Sequence, residues 1–298
     1  METAGIHLDT DNIIGEVHDH LYGANLEHIA QSVYGGVWAE MLRDRKFAGS
    51  DTMYTGSSEG LHNINPGIGV VVPWEAKNPH YETVRYVHDN TTFYTGKQSQ
   101  RISIRQPDGE AHGIQQCGLY LQPGQDYQVR LVLQGQGQAV DIQLGAATQS
   151  IKNVGDTWQT YDFTISNQSL IADGIFSISI TDGTLWIGCA SVMPANNLNG
   201  FRADVIEALR DWSPTNLRWP GGNFVSAYHW QQGIGNRDKR PSYLDPAWWH
   251  WESNDMGTDE FIDLCRLIDC EPILTINMGD GTVEEAAAWV EYCNGDVS

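Results

Sequence analysis

Between residues 68 and 195 apolar and polar residues alternate in the short runs RYVHDNTTFYTG, QRISIRQ, YQVRLVLQG, VDIQLGA, TWQTYDFTI, FSISITDG and TLWIGCASVMP, separated by Gly, Asp and Asn. A period of two puts successive side chains on opposite faces of a strand, so this stretch predicts an antiparallel β-sandwich. After it the period lengthens. FRADVIEALRDW, GTDEFIDLCRLI and TVEEAAAWVEYCN repeat apolar residues at helical spacing, and the strand-like NLRW and EPILTIN lie between them. Strand alternating with helix predicts parallel strands joined by crossover helices. Residues 4 to about 66 read as the strand-like GIHLDT and GEVHDHLYGANLEH followed by a helix in YGGVWAEMLRDRKF, where Val37, Met41 and Leu42 have helical spacing. Helix starts are marked by Thr258 ahead of Asp259 and Glu260, and by Thr282 with Glu285 at capping-box spacing. The sandwich thus interrupts an α/β region. About three strand-helix units fit, whereas a (β/α)8 barrel needs eight, which leaves two readings: a smaller open sheet, or the front of a barrel.

Composition narrows the partners. The 298 residues are 41% hydrophobic, enough for one large or two medium cores. A formal net charge of −21 opposes nucleic acid and anionic membranes, so a neutral partner fits better. Eleven Trp, twelve Tyr and seven Phe against 18% charged residues suit a surface that stacks rings on sugars, although core packing accounts for most aromatics in any protein. No apolar run approaches the roughly 20 residues that cross a bilayer, and METAGIHLDTDN lacks the basic and apolar regions of a signal peptide. A soluble chain is expected, with cytoplasmic residence and secretion after signal removal both left open. The five cysteines are widely spaced without a C-x-x-C pair and read as buried hydrophobes, with a Cys117–Cys189 bridge left open.

In parallel-strand folds functional groups collect at the C-terminal ends of the strands. Three segments fall there. LYGANLEHI carries Glu27 and His28 beyond an apolar strand; RWPGGNF has two glycines that let a backbone approach a ligand; PAWWHWESNDMG sets three Trp beside Glu252, Asn254 and Asp255. Each also has a bland reading, as a solvated Glu, a turn and a packed aromatic loop. His18 and His20 form H-x-H without a spaced third ligand, and GDGT at 279 to 282 lacks the Lys of a phosphate loop and reads as a strand end and helix cap. G-x-G-x-x-G does not occur. No metal and no cofactor are expected.

Together, LYGANLEHIAQSVYGGVWAEML, NLRWPGGNFVSAYHWQQGIGNRDKRP, LDPAWWHWESNDMGTDEF and EPILTINMGDGTVEEAAAWVEYCN resemble, in that order, the α-L-arabinofuranosidases of glycoside hydrolase family 51. The stretch between, notably TWQTYDFTI and LWIGCASVMP, resembles the carbohydrate-binding-module-like sandwich that some members insert. The resemblance implies an α/β fold, a partial (β/α)8 TIM barrel interrupted by an antiparallel β-sandwich: residues 1–66 the first part of the barrel, 67–196 the inserted sandwich, and 197–298 the barrel continued through strands 2 to 3. It implies that Glu27 and Asn223 hydrogen-bond sugar hydroxyls, that Gly222 allows close approach in the −1 subsite, and that Trp248 stands at the rim. Asp255 occupies a position where many members have Glu. Such enzymes are retaining, with two glutamates about 5 Å apart; the GNE string that carries the acid/base is absent here. No catalytic residue is therefore expected in this chain, whose partners would be the remainder of the barrel and an arabinose-containing oligo- or polysaccharide. A homo-oligomer is left open. The expected activity is release of terminal α-L-arabinofuranosyl groups from arabinoxylan or arabinan. The alternatives are an endo-acting glucanase or xylanase of the same family, and a non-catalytic carbohydrate-binding protein.

Overall fold

The computed structural model describes residues 4–29, 31–49 and 67–295. Alternation in the middle of the chain folds as predicted into two five-stranded antiparallel sheets. One has the order β2 (Glu75–Lys77), β5 (His112–Leu121), β10 (Ile171–Ile180), β7 (Val140–Leu144), β8 (Ala147–Ile151); the other has β3 (Val84–Asp89), β4 (Ser99–Ile104), β11 (Thr184–Pro194), β6 (Gln125–Gln134), β9 (Gln159–Asn167). In β7 Val140, Ile142 and Leu144 are buried while Asp141 is exposed. Such inward residues from both sheets, Ile114, Phe176 and Ile178 against Ile102, Leu131 and Leu185, form one core. Full burial of each contributes about 1.5–3 kcal/mol before entropy is counted. The sequence pattern does not announce β5. Its register against β10 shifts around Gly174, and Gly118 has φ +84°, so the two-residue period is broken within the strand.

The second unit is a three-stranded parallel sheet, β1 (Ala24–Asn25), β12 (Asn216–Trp219) and β15 (Glu271–Leu274), with β12 in the centre. Helices α1 (Ala203–Trp212), α2 (Thr258–Ile268) and α3 (Val283–Asn294) accompany it, and α2 makes the crossover between β12 and β15. Phe261, Leu264, Cys265 and Ile268 bury one face of α2 against Trp219, whose ring stacks on Phe261 at 5.1 Å. The cap of α2 lies one residue earlier than the sequence suggests: the amide of Gly257 donates to Glu260 Oε2 at 2.9 Å. Thr282 caps α3, its hydroxyl accepting from the Glu285 amide at 3.1 Å, but the Glu285 carboxylate turns to His229 instead of closing the box. A short ribbon of β13 (Tyr243–Leu244) and β14 (Trp251–Glu252) completes the sheets.

Three expectations fail. Residues 34 to 47 are turns and isolated bridges, Tyr34 with Trp38 and Trp38 with Phe201, and not a helix. Val37 packs in the parallel-sheet core while Leu42 and Met41 pack in the sandwich core, so their spacing serves two cores and not one helical face. Gly35 at φ +82° breaks any helix there. Residues 4 to 17 form no strand: Ile6, Leu8, Ile13 and Ile14 are exposed, since no neighbouring strand pairs with them, and only Ala24–Asn25 enters the sheet after a 3-10 turn at Asp19–Tyr22. The cysteines read as buried hydrophobes are buried only at Cys189 and Cys265, while Cys117 and Cys293 are exposed; all five are free, and with Cys117 on β5 and Cys189 on β11 in opposite sheets the bridge left open is not made. The boundary expected at 66 and 67 meets residues 50–66, which lie outside the described residues.

Segment 41–47 and the loop before α2 meet at an ionic seam. Buried Arg45 grips Asp255 through Nε and NH2 and reaches Asp238 at 2.8 Å, and Asp238 also accepts from Arg130 Nε of β6 at 2.7 Å. Lys46 Nζ lies 3.0 Å from Asp255 and donates to the Ser253 carbonyl at 2.6 Å. Burial would raise the Asp255 pKa, but the Arg45 and Lys46 charges hold it well below the usual carboxylate range. Asp255, whose position invited a functional reading, is a structural ion.

Candidate functional site

The ends of β1 and β12 bring the first two predicted segments together. Leu26 continues β1 by donating its amide to the Arg218 carbonyl, and Glu27 follows at the strand end. The chain then leaves β12 at Trp219 through Pro220, Gly221 and Gly222. Gly221 has φ +127°, and a Cβ on it would lie 2.2 Å from Glu27 Cγ, so only glycine fits beside this carboxylate. Gly222 is exposed, and a Cβ there would meet Glu27 Oε2 only at 3.4 Å, an ordinary contact. Crowding thus demands glycine at 221, the neighbour of the one singled out from the sequence.

The third segment arrives through Trp248. Buried Asp245 accepts from the Trp248 amide at 2.7 Å and the Ala247 amide at 3.2 Å, which fixes the loop. The indole Nε1 of Trp248 then donates to Glu27 Oε1 at 3.2 Å, and the Phe224 amide donates to the same oxygen at 3.2 Å. Among the described residues Glu27 Oε2 accepts no hydrogen bond, so half of the carboxylate keeps its acceptor capacity. Glu27 and Trp248 are half-buried and Asn223 is exposed, next in the chain to the amide that Glu27 binds. Glu27, Gly222 and Trp248 are therefore brought together, with Asn223 alongside in sequence and without a bond to them.

Behind Glu27 runs a buried polar chain. His28 stacks on Phe224 at 4.4 Å, and its Nε2 receives the Trp219 indole N–H at 2.9 Å. An indole only donates, so Nε2 accepts and the imidazole proton sits on Nδ1, 2.6 Å from Glu252 Oε2. The Asn254 amide donates to Glu252 Oε1 at 2.6 Å, and the Tyr34 hydroxyl donates to the same oxygen. Burial opposes the Glu252 charge, yet His28, Tyr34 and the Asn254 amide together hold its pKa below the ordinary value. With both oxygens engaged and no exposure, Glu252 is a brace that fixes His28 and hence the Glu27 strand end. Tyr34 was not legible as a member of this chain, because it sits in the segment that reads as a helix. His18 and His20 are exposed beside each other at the 3-10 turn; GDGT lies beyond the end of β15 at Leu274, so it is not the strand end expected, but its Thr282 is the helix cap it was read as.

The arrangement is a carboxylate with a free acceptor edge, an indole beside it and a glycine turn at the C-terminal end of parallel strands, a setting for a neutral hydroxyl-rich ligand. The fold has a counterpart among solved structures. Over 92% of this chain it matches 48% of an arabinose-bound family GH51 α-L-arabinofuranosidase with a TM-score of 0.73, at 18% sequence identity. That likeness concerns the fold alone. In sequence, residues 208–298 match the family model of the Alpha-L-arabinofuranosidase 1 domain. α-L-Arabinofuranosidase C of Emericella nidulans is 51% identical over 102 residues, 34% of this chain and 20% of that protein. An intracellular exo-α-L-arabinofuranosidase of Bacteroides ovatus is 48% identical over 115 residues, 38% of this chain and 22% of that protein. The chain spans about a fifth of the length of these curated relatives, and over that part its sequence is similar to theirs.

Proposed function

We propose that the protein is a retaining glycoside hydrolase that releases terminal α-L-arabinofuranosyl residues, and that this chain supplies the groups that hold the furanose. The observation that carries the reading is Glu27: one oxygen is fixed by the Phe224 amide and the Trp248 indole, and the other is left to accept from sugar hydroxyls. Asn223 offers a second polar group and Gly222 leaves room for the ring, while Trp248 provides an aromatic wall. The acid/base and nucleophile come from further polypeptide in this reading, because Glu252 is spent on His28, Tyr34 and the Asn254 amide. The three parallel strands are then the start of a (β/α)8 barrel, with residues 67–196 inserted as a unit. Partial exposure of Ile273 and Ile276 beside the β15 edge supports a continuing sheet.

The test is hydrolysis by the complete protein of an aryl α-L-arabinofuranoside, arabinan and arabinoxylan, beside an unbranched xylan and a β-glucan. Release of single arabinose units is the expected result. Internal cleavage of the unbranched polymers would transfer the reading to an endo-acting glycanase, and binding without turnover to a carbohydrate-binding protein.

A further inference from the structure

The sandwich holds a second cluster that shares no residue with the Glu27 site. His112 opens β5 with its side chain fully buried, and its Nδ1 lies 2.6 Å from the Asn78 carbonyl oxygen. A carbonyl only accepts, so that nitrogen carries the proton and Nε2 presents its lone pair. Yet Nε2 faces the two carboxylate oxygens of Asp108 at 3.1 and 3.2 Å, and these are acceptors as well. Acceptors so placed need a cation or a further proton between them. His80 closes another side, with Nδ1 3.6 Å from Asp108 Oδ2 and its ring centroid 5.6 Å from that of His112. One ligand atom from each of the three residues lies within 4.8 Å of the others.

The spacing suits a small ion. Tetrahedral zinc with bonds of about 2.0–2.1 Å sets its ligand atoms about 3.3 Å apart, and the Asp108 carboxylate lies near that distance from both imidazoles, 3.1 Å from His112 Nε2 through Oδ1 and 3.6 Å from His80 Nδ1 through Oδ2. Supporting bonds are in place. An Nδ1–H donated to a backbone carbonyl is what orients a metal-binding imidazole through its other nitrogen. The Glu110 amide holds Asp108 Oδ1 at 2.9 Å, and the Asn78 side chain donates to the Ala111 carbonyl at 2.8 Å, locking the 78–80 turn to the start of β5. Two imidazoles and one carboxylate favour a late first-row divalent ion over calcium or magnesium. We propose that His80, Asp108 and His112 bind a divalent transition-metal ion of the zinc class, with water completing its coordination. The ion ties together two crossings between the sheets: the turn from β2 to β3 and the loop from β4 to β5. Sequence did not show it, because His80 is separated from Asp108 and His112 by two strands and no ligand spacing results.

The full chain, stripped with a chelator, is titrated with zinc sulfate and with cobalt chloride. One ion per chain is expected, with visible cobalt d–d absorption lacking thiolate charge transfer, and a thermal midpoint that rises with zinc because only the folded state binds it. His80→Ala and Asp108→Ala alter largely or partly exposed side chains, and each is expected to weaken binding by at least about tenfold. A Cys117→Ser, Cys293→Ser variant, lacking the exposed thiols, is expected to bind as the parent does. Failure to retain zinc or to give the cobalt spectrum, or undiminished binding in the His80→Ala, Asp108→Ala double variant, overturns the proposal.

Discussion

Replacing Asp255 by Asn removes one charge from the seam at nearly constant shape. Asp255 is 2% exposed, and its carboxylate answers both the Arg45 fork and the Lys46 ammonium, side chains that are themselves 5% and 1% exposed. After the change Arg45 keeps Asp238, which Arg130 already shares, and Lys46 keeps only the Ser253 and Arg240 carbonyls. Removing one partner of a buried pair costs about 3–5 kcal/mol, against about 0–1 kcal/mol for a solvated surface pair. Asn retains a carbonyl oxygen for one donor, so a loss of about 3 kcal/mol is expected in urea unfolding followed by tryptophan fluorescence. Adding Lys46→Met to this variant should recover part of that loss, because the surplus buried cation goes with it. The pH dependence has a definite sign. The folded pKa of Asp255 lies below its unfolded value, so its contribution is fully present above the unfolded pKa near 3.9 and fades as pH falls toward the folded pKa. Asp255→Asn should lack this component of acid destabilisation. A loss under about 1 kcal/mol, or a further additive loss on adding Lys46→Met, would refute the reasoning.

Gly221→Ala forces a Cβ to 2.2 Å from Glu27 Cγ at a φ of +127°, so it should lower stability and weaken turnover of arabinofuranosides, whereas Gly222→Ala should be milder; unfolding and initial rates of both check this. Glu40 provides a second pH test. Burial pushes its carboxyl up to about 7 despite bonds from Ser191, Val192 and Leu42. The unfolded chain ionises first, so stability should fall as pH rises from about 4.5 to 7 by on the order of 3 kcal/mol, and Glu40→Gln, whose oxygen can accept from the Val192 and Leu42 amides and whose amide can donate to Ser191 Oγ, should flatten that decline in unfolding measured across the window.

What the sequence displays and hides follows from the range of the forces involved. Alternation in VDIQLGA and helical spacing in GTDEFIDLCRLI are local consequences of one buried face, and both elements stand where the pattern puts them. YGGVWAEMLRDRKF misleads because its apolar residues serve two cores and its charged residues, Glu40, Arg45 and Lys46, are fixed by partners about 150 to 210 positions away. The site divides the same way. Strand ends marked by Glu27, the Gly-Gly turn and Trp248 are local signals that the fold gathers. That Gly221 is the crowded glycine depends on how β1 lies against β12, and the Tyr34 hydroxyl reaches Glu252 only through the folded loop. His80, Asp108 and His112 meet because β2 and β5 pair in one sheet and β3 and β4 in the other, a coincidence of topology that no spacing displays.

Calorimetric titration of the complete protein with arabinotriose, for the parent and for Glu27→Gln, asks whether the Glu27 strand end holds the sugar. Gln can keep the bond from the Phe224 amide and the fold behind it, while the edge left to the sugar becomes an amide N–H that donates and no longer accepts. Because a hydrogen bond to a charged group contributes about 1.5–3 kcal/mol, affinity should fall on the order of 10- to 100-fold with the thermal midpoint nearly unchanged. Equal affinity in the two proteins would contradict the account, since the furanose would then be held elsewhere.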